Sequence, residues 1–152
     1  MKKLSDDDNR AAWGDGYTDS YNEPKGLAGR RIAEVLTDAA HDTLQFVFDD
    51  GALLTMSAEG DCCSKSWFHH VEGVDALRAG KIAAVEQADG SPRAGEEDGI
   101  EQESVETYFL RITTDRGRAT VELRNESNGY YGGSIDWSLA DVPGLVPLTE
   151  DY

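Results

Sequence analysis

At 152 residues, with 39% hydrophobic and 29% charged side chains, the chain is long enough for one domain that buries about two-thirds of its unfolded surface and folds without staples. Its formal charge of −16 argues against direct binding to nucleic acid, whose phosphates select basic patches, and against an anionic membrane surface. No apolar run approaches the ~20 residues that cross a bilayer, and no hydrophobic stretch follows Lys2 and Lys3, so the chain reads as cytoplasmic with neither a spanning helix nor a signal peptide.

The opening residues carry Asp6, Asp7 and Asp8, then Trp13, Tyr17 and Tyr21 at a spacing of four. Gly14, Asp15 and Gly16 interrupt that spacing and weaken any helix through it. Residues 1–28 are therefore expected to be a polar arm lying over the domain, with an aromatic or two pinned to it. Gly29 to Leu36 reads as a first strand. Thr43 to Phe48 alternates, placing Leu44, Phe46 and Phe48 on one face, and Asp50-Gly51 turns the chain into a returning strand from Ala52 to Ser57.

Val71, Val74 and Leu77 sit at helical spacing between Trp67 and Arg78, with Gly80 as a stop, which predicts a short helix. Lys81 to Val85 reads as a strand. Residues 86–103, broken by Gly90, Pro92, Gly95 and Gly99, read as a long loop. Val105 to Thr113 alternates, Asp115-Arg116-Gly117 turns the chain, and Arg118 to Arg124 returns with Ala119, Val121 and Leu123 on one face. Ser134 to Leu139 reads as a last strand before Pro143 and Pro147.

These elements predict a single α+β domain over 29–142, mainly an antiparallel sheet built from two hairpins with one short helix packed on it, followed by a tail over 143–152.

Two short strings stand apart from this scaffold. The first, 61–70, holds Asp61, Cys62, Cys63, Trp67, His69 and His70. Thiolate and imidazole are zinc's usual ligands, but zinc sites separate paired cysteines by two to four residues, whereas neighbours in an extended segment point to opposite faces. The expected role of Asp61, Cys62, Cys63 and Trp67 is therefore structural, and no metal or cofactor is expected. A thiol enzyme would need an activated thiolate beside a base, and nothing around Cys62 and Cys63 marks one.

The second string, 125–133, holds Asn128-Gly129, which supplies the positive-φ pair of a tight turn, then Tyr130, Tyr131 and two glycines. Aromatic faces beside exposed backbone amides could stack a base and hold a phosphate. A tyrosine-capped hairpin loop accounts for the same residues. No glycine loop of a nucleotide-binding type and no catalytic carboxylate pair is present.

The order of these parts resembles an uncharacterised domain family of tailed phages and actinobacterial prophages. The resemblance runs over roughly 29–138. Asp61, Cys62 and Cys63 match its first motif, and Ser127, Asn128, Gly129 and Tyr130 match its second, while His69, His70 and the aromatic arm lie outside its pattern. The resemblance implies a phage-type accessory protein, a class often devoted to disabling host defences or host enzymes, and carries no catalytic residue with it.

The leading expectation is a non-enzymatic acidic binding protein that acts on a host protein, such as a basic nucleic-acid-binding protein, through Glu96, Glu97 and Asp98 of its densest acidic stretch and through Asn128, Gly129, Tyr130 and Tyr131. A small-ligand binder that sequesters a nucleotide signal, with Arg111, Arg118 and Arg124 as candidate cations, is the alternative from another class. A zinc or thiol enzyme is the third.

Overall fold

The computed structural model describes residues 2–14, 22–60, 64–89, 93–94, 104–127 and 133–152. In chain order these form α1 (Asp6–Trp13), β1 (Ile32–Thr37), β2 (Thr43–Phe48), β3 (Leu53–Gly60), β4 (Lys65–Glu72), α2 (Val74–Leu77), β5 (Ile82–Asp89), β6 (Arg93–Ala94), β7 (Ser104–Thr114), β8 (Gly117–Ser127), β9 (Gly133–Ser138) and β10 (Val146–Pro147). The strands make two antiparallel sheets, ordered β10-β1-β2-β3-β9 and β4-β8-β7-β5 with β6 paired to β7, in an α+β architecture.

Alternation dictates both hairpins. In β2 and β3, Leu44, Phe46, Phe48, Leu54 and Met56 turn to one side. In β7 and β8, Leu110, Ile112, Ala119, Val121 and Leu123 do the same, and all ten join a single buried cluster. The first hairpin closes over Gly51 at φ +87°, a conformation that a β-carbon would oppose. The second runs eleven residues per strand from Thr114 opposite Gly117.

Two expectations fail for identifiable reasons. The helix predicted from Trp67 is a strand, β4, and only Val74 to Leu77 is helical. A bulge between Phe68 and His70 inserts an extra residue, so Ser66 and Phe68 face inward and then Val71 does, breaking the period of two. The resulting Val71, Val74 and Leu77 spacing only mimics a helix. The loop expected over 86–103 is also shorter, since β5 runs to Asp89 and β6 occupies 93–94.

The arm contributes a helix that the broken aromatic spacing concealed. Ser5 Oγ accepts the Asp8 amide at 3.3 Å, three aspartates occupy the first turn where the helix dipole favours them, and Gly14 ends the helix before the breakers begin. Trp13 is buried edge-on against Phe48, with the Arg30 guanidinium 3.9 Å above its ring. Beyond it, the Gly29 amide donates to Ile82 O at 2.7 Å and Gln87 donates to Glu23 at 3.1 Å, holding this stretch beside β5.

Residues 143–152 are integrated just as firmly. β10 pairs with β1, and Leu148 is buried in the main cluster. Tyr152 exchanges backbone hydrogen bonds with Val71 at 3.1 and 3.0 Å, donates its hydroxyl to Phe68 O at 3.0 Å, and stacks on His41 at 4.0 Å. Burial, assisted by the charge of Asp38, pushes its phenol up to about 12.

Asp151 accepts the Gly73 and Val74 amides at 3.0 and 2.8 Å at the start of α2. Those two backbone hydrogen bonds, then the nearby His70, hold its carboxyl below the ordinary value. A depressed native pKa contributes stability above the unfolded carboxyl's pKa of about 3.9, and that stability disappears as pH falls through the native value. Asp151→Ala is therefore expected to melt below the wild type at neutral pH, with the gap closing as the pH drops under about 4. Thermal melts across that range check this, and a gap independent of pH would contradict it.

Candidate functional site

The tight turns after β2 and β7 lie at one end of the stacked sheets. Several strand ends lie at the other. Gly60 at the end of β3 pairs with Gly133 at the start of β9, and Lys65 at the start of β4 pairs with Glu126 near the end of β8. Ser104 pairs with both Ser127 and Ala94, and Asp89 pairs with Tyr108. Both special strings and the acidic stretch are therefore tethered at one end of the fold.

Asp61, Cys62, Cys63, Asn128, Gly129, Tyr130, Tyr131, Glu96, Glu97 and Asp98 themselves lie outside the described residues, so the structural role expected of the two cysteines falls there too. Their anchors do not. The first string starts opposite the residue where the second rejoins the sheet.

At this end the interior turns from apolar to polar. Asn125 and Ser127 continue the inward parity of Ala119, Val121 and Leu123, and both are buried. Ser66 donates its hydroxyl to Asn125 Oδ1 at 2.8 Å. Gly133 passes so close that a β-carbon there would lie 2.5 Å from Ser66 Oγ and 2.8 Å from Asn125 Cβ. The corner joining the two sheets is thus a glycine packed on a buried polar pair.

Beside the corner, β5, β7, β8 and β9 enclose a cleft of about 170 Å³, lined by Gln87, Ala88, Tyr108, Phe109, Leu123 and residues 133–135. Tyr108 donates its hydroxyl to Glu106. A second groove, of about 310 Å³, lies at the far end of β9 between Ser138, Leu139 and Ala140 and α1, where Asp6, Asp7 and Arg10 line it.

The outer face of the β4-β8-β7-β5 sheet carries the charged and aromatic residues. Trp67 is half-buried, donates its indole N–H to His69 Nδ1 at 3.1 Å, and is registered opposite Arg124. Arg124 donates to Glu122 at 2.6 Å, with the two side chains only 11% and 15% exposed. Arg111 pairs across strands with Glu86 and Thr120, while Arg118 sits next to the turn at the opposite end. The three arginines therefore do not converge. Among the described residues, no group of three or more histidine, cysteine or acidic side chains is placed to hold a metal.

Sequence reasoning placed Ser66, Asn125 and Gly133 within the two strings and Tyr108 on an alternating strand, but assigned no site role to Ser66, Asn125, Tyr108 or Glu106. A signal for Asn125 and Ser127 was present: polar residues occupying the buried parity of an otherwise apolar strand.

Residues 25–137 match a domain of unknown function, DUF7448, and the chain belongs to that family. It is also 29% identical over 112 residues to the uncharacterized protein L278 of Acanthamoeba polyphaga mimivirus, a span covering 70% of this chain and 85% of the viral protein. No solved structure matches.

Proposed function

We propose that this member of the DUF7448 family is a non-enzymatic binding protein that engages a basic protein surface through the loop-bearing end of its two sheets. The observation that carries the reading is the convergence there of the strand ends flanking both special strings and the acidic stretch. One rigid scaffold end that projects several specialised segments is the usual arrangement of a recognition surface.

Charge supports the kind of partner. Residues 86–106 contain Glu86, Asp89, Glu96, Glu97, Asp98, Glu101, Glu103 and Glu106 against Arg93. Such a field raises encounter rates with cationic surfaces and repels anionic ones. The likeness to a mimivirus protein and the resemblance to phage domains favour a viral accessory role, with a host protein in the host cytoplasm as partner.

The alternatives gain less. An enzyme needs titratable groups converging in a cleft. Among the described residues the corner cleft's lining offers Tyr108, and the groove beside α1 offers Asp6, Asp7 and Arg10, which lie at the opposite end of β9 from both special strings. At about 170 Å³, with no lysine or arginine in its lining, the corner cleft is smaller than the ~300 Å³ at which small-molecule sites begin. The groove beside α1 reaches about 310 Å³, but Arg10 there stands with Asp6 and Asp7, whose charge opposes a phosphate.

Capture of host proteins by the immobilised chain, quantified by mass spectrometry at low and moderate salt, tests the proposal. Glu96, Glu97 and Asp98 changed together to lysine should reduce capture about tenfold or more, while shifting stability by no more than ~0.5 kcal/mol. Exposed charges are screened over about 8 Å at physiological salt, so wild-type capture should also weaken as salt rises. Undiminished capture by the triple variant at both salts would show that the acidity only solvates the surface.

A further inference from the structure

We propose that the cleft beside the sheet corner receives the side chain of one lysine of the partner protein, with Glu106 as the counter-charge of its ammonium group. The inference rests on the binding-protein reading and specifies what that end of the fold recognises.

Glu106 is the residue that calls for a cation. It is registered opposite the buried Asn125, so it shares the inward face of β7, and it is half-buried. It accepts the Tyr108 hydroxyl, but among the described residues no lysine, arginine or histidine pairs with it. A carboxylate drawn in between two sheets ordinarily has a counter-ion, because desolvating an unpaired charge is costly. The tyrosine that holds it lines the cleft, and no lysine or arginine stands in that lining. A second carboxylate reaches the same cleft through Gln87, whose side-chain amide donates to Glu23 at 3.1 Å. Glu23 also has no cation among the described residues.

Size and lining select lysine. About 170 Å³ holds a single side chain and falls short of the ~300 Å³ at which small-molecule sites begin. The lining is mixed, as an amphipathic side chain requires. Leu123 and Ile135, both buried, suit a four-carbon stem. Tyr108, Gln87 and Ser134 bring oxygen acceptors from three different strands, β7, β5 and β9. An ammonium has three rotatable donors on a compact head and can serve acceptors spread around it. The planar fork of arginine seeks both oxygens of one carboxylate, and Tyr108 already holds one oxygen of Glu106. A second copy of this chain, at −16, would meet like charge.

The test titrates the acetylated and amidated peptide Gly-Gly-Lys-Gly-Gly into the protein, followed by NMR, beside versions with norleucine or arginine in place of lysine. The lysine peptide should bind about tenfold or more tightly than the norleucine peptide, the gain expected from charge-assisted hydrogen bonds, and more tightly than the arginine peptide. Shift changes should centre on Gln87, Tyr108, Ser134 and Ile135.

Glu106→Gln keeps an acceptor for Tyr108 and removes the charge. It should abolish the preference for lysine over norleucine while melting no lower than the wild type, since the variant no longer buries an unpaired carboxylate. Gln87→Met, at an exposed position, provides a second variant that should also weaken the lysine peptide. Asp7→Asn removes the same charge at the far end of β9 and should leave the peptide affinity unchanged. Equal binding of the lysine and norleucine peptides, shifts centred away from the cleft, or a Glu106→Gln variant that melts lower yet keeps its lysine preference would overturn the lysine site. Host-protein capture is a separate readout. Its loss in the triple reversal at 96–98, with no peptide selectivity, would sustain the acidic surface and reject the lysine site, whereas lysine selectivity with undiminished capture would do the reverse.

Discussion

Asn9→Ala is expected to destabilise the protein by about 3–5 kcal/mol, the largest loss from any single polar side chain described. Asn9 is 1% exposed, donates to Leu53 O at 3.1 Å and Leu139 O at 3.0 Å, and accepts the Leu53 amide at 2.8 Å. One side chain thus serves the start of β3 and the residue after β9. Alanine leaves the Leu53 N–H and the Leu139 carbonyl buried without that partner, and each such group costs about 1–3 kcal/mol. Leu53 O keeps the Trp13 indole at 3.0 Å.

Asn9→Asp should be no milder, because a carboxylate cannot donate to either carbonyl. The exposed neighbour Asp7→Ala should stay within about 0.5 kcal/mol. Urea unfolding monitored by tryptophan fluorescence measures all three. An Asn9→Ala loss below about 1 kcal/mol would mean that α1 is a dispensable appendage.

Gly133→Val should cost about 3 kcal/mol and also loosen the loop-bearing end. Its β-carbon would collide with Ser66 Oγ at 2.5 Å and Asn125 Cβ at 2.8 Å, so β9 must move away from the corner or the Ser66–Asn125 hydrogen bond must break. Gly133→Ala should cost less, about 1–3 kcal/mol. Ser66→Gly should recover about 1 kcal/mol of that loss, since contacting residues show coupling of this size. A double-mutant cycle in chemical denaturation checks the coupling. Strict additivity would show that the contact is not the origin of the loss.

Much of the scaffold was legible because its strands alternate. Thr43 to Phe48 is bounded as the pattern predicts, and the β7–β8 hairpin follows from matched runs around Asp115 and Gly117. Failures arose where a local device changes the period or where partners are remote. The bulge at His69 made a strand resemble a helix start. The short α1 depends on tertiary partners at Leu53 and Leu139, which no spacing within residues 6–13 reveals. Residues 143–152 looked like a tail because pairing of Pro147 with Leu36, and of Tyr152 with Val71, joins positions far apart in sequence.

The candidate site was legible in part for the same reason. The two strings announce themselves by composition, but their common origin is a consequence of pairing Gly60 with Gly133 and Lys65 with Glu126, which only the closed topology brings about. Asn125 and Ser66 lie within the strings, but no spacing there assigns them a role. Their importance follows from burial opposite a glycine.

Hydrogen–deuterium exchange on the complex with a captured partner tests the central claim most directly. Binding through the loop-bearing end should slow exchange in peptides covering 60–67, 86–108 and 123–135, and leave the turns at 49–51 and 115–117, at the opposite end of the sheets, unchanged. Protection centred on those two turns, with the loop-bearing end unaffected, would contradict the account.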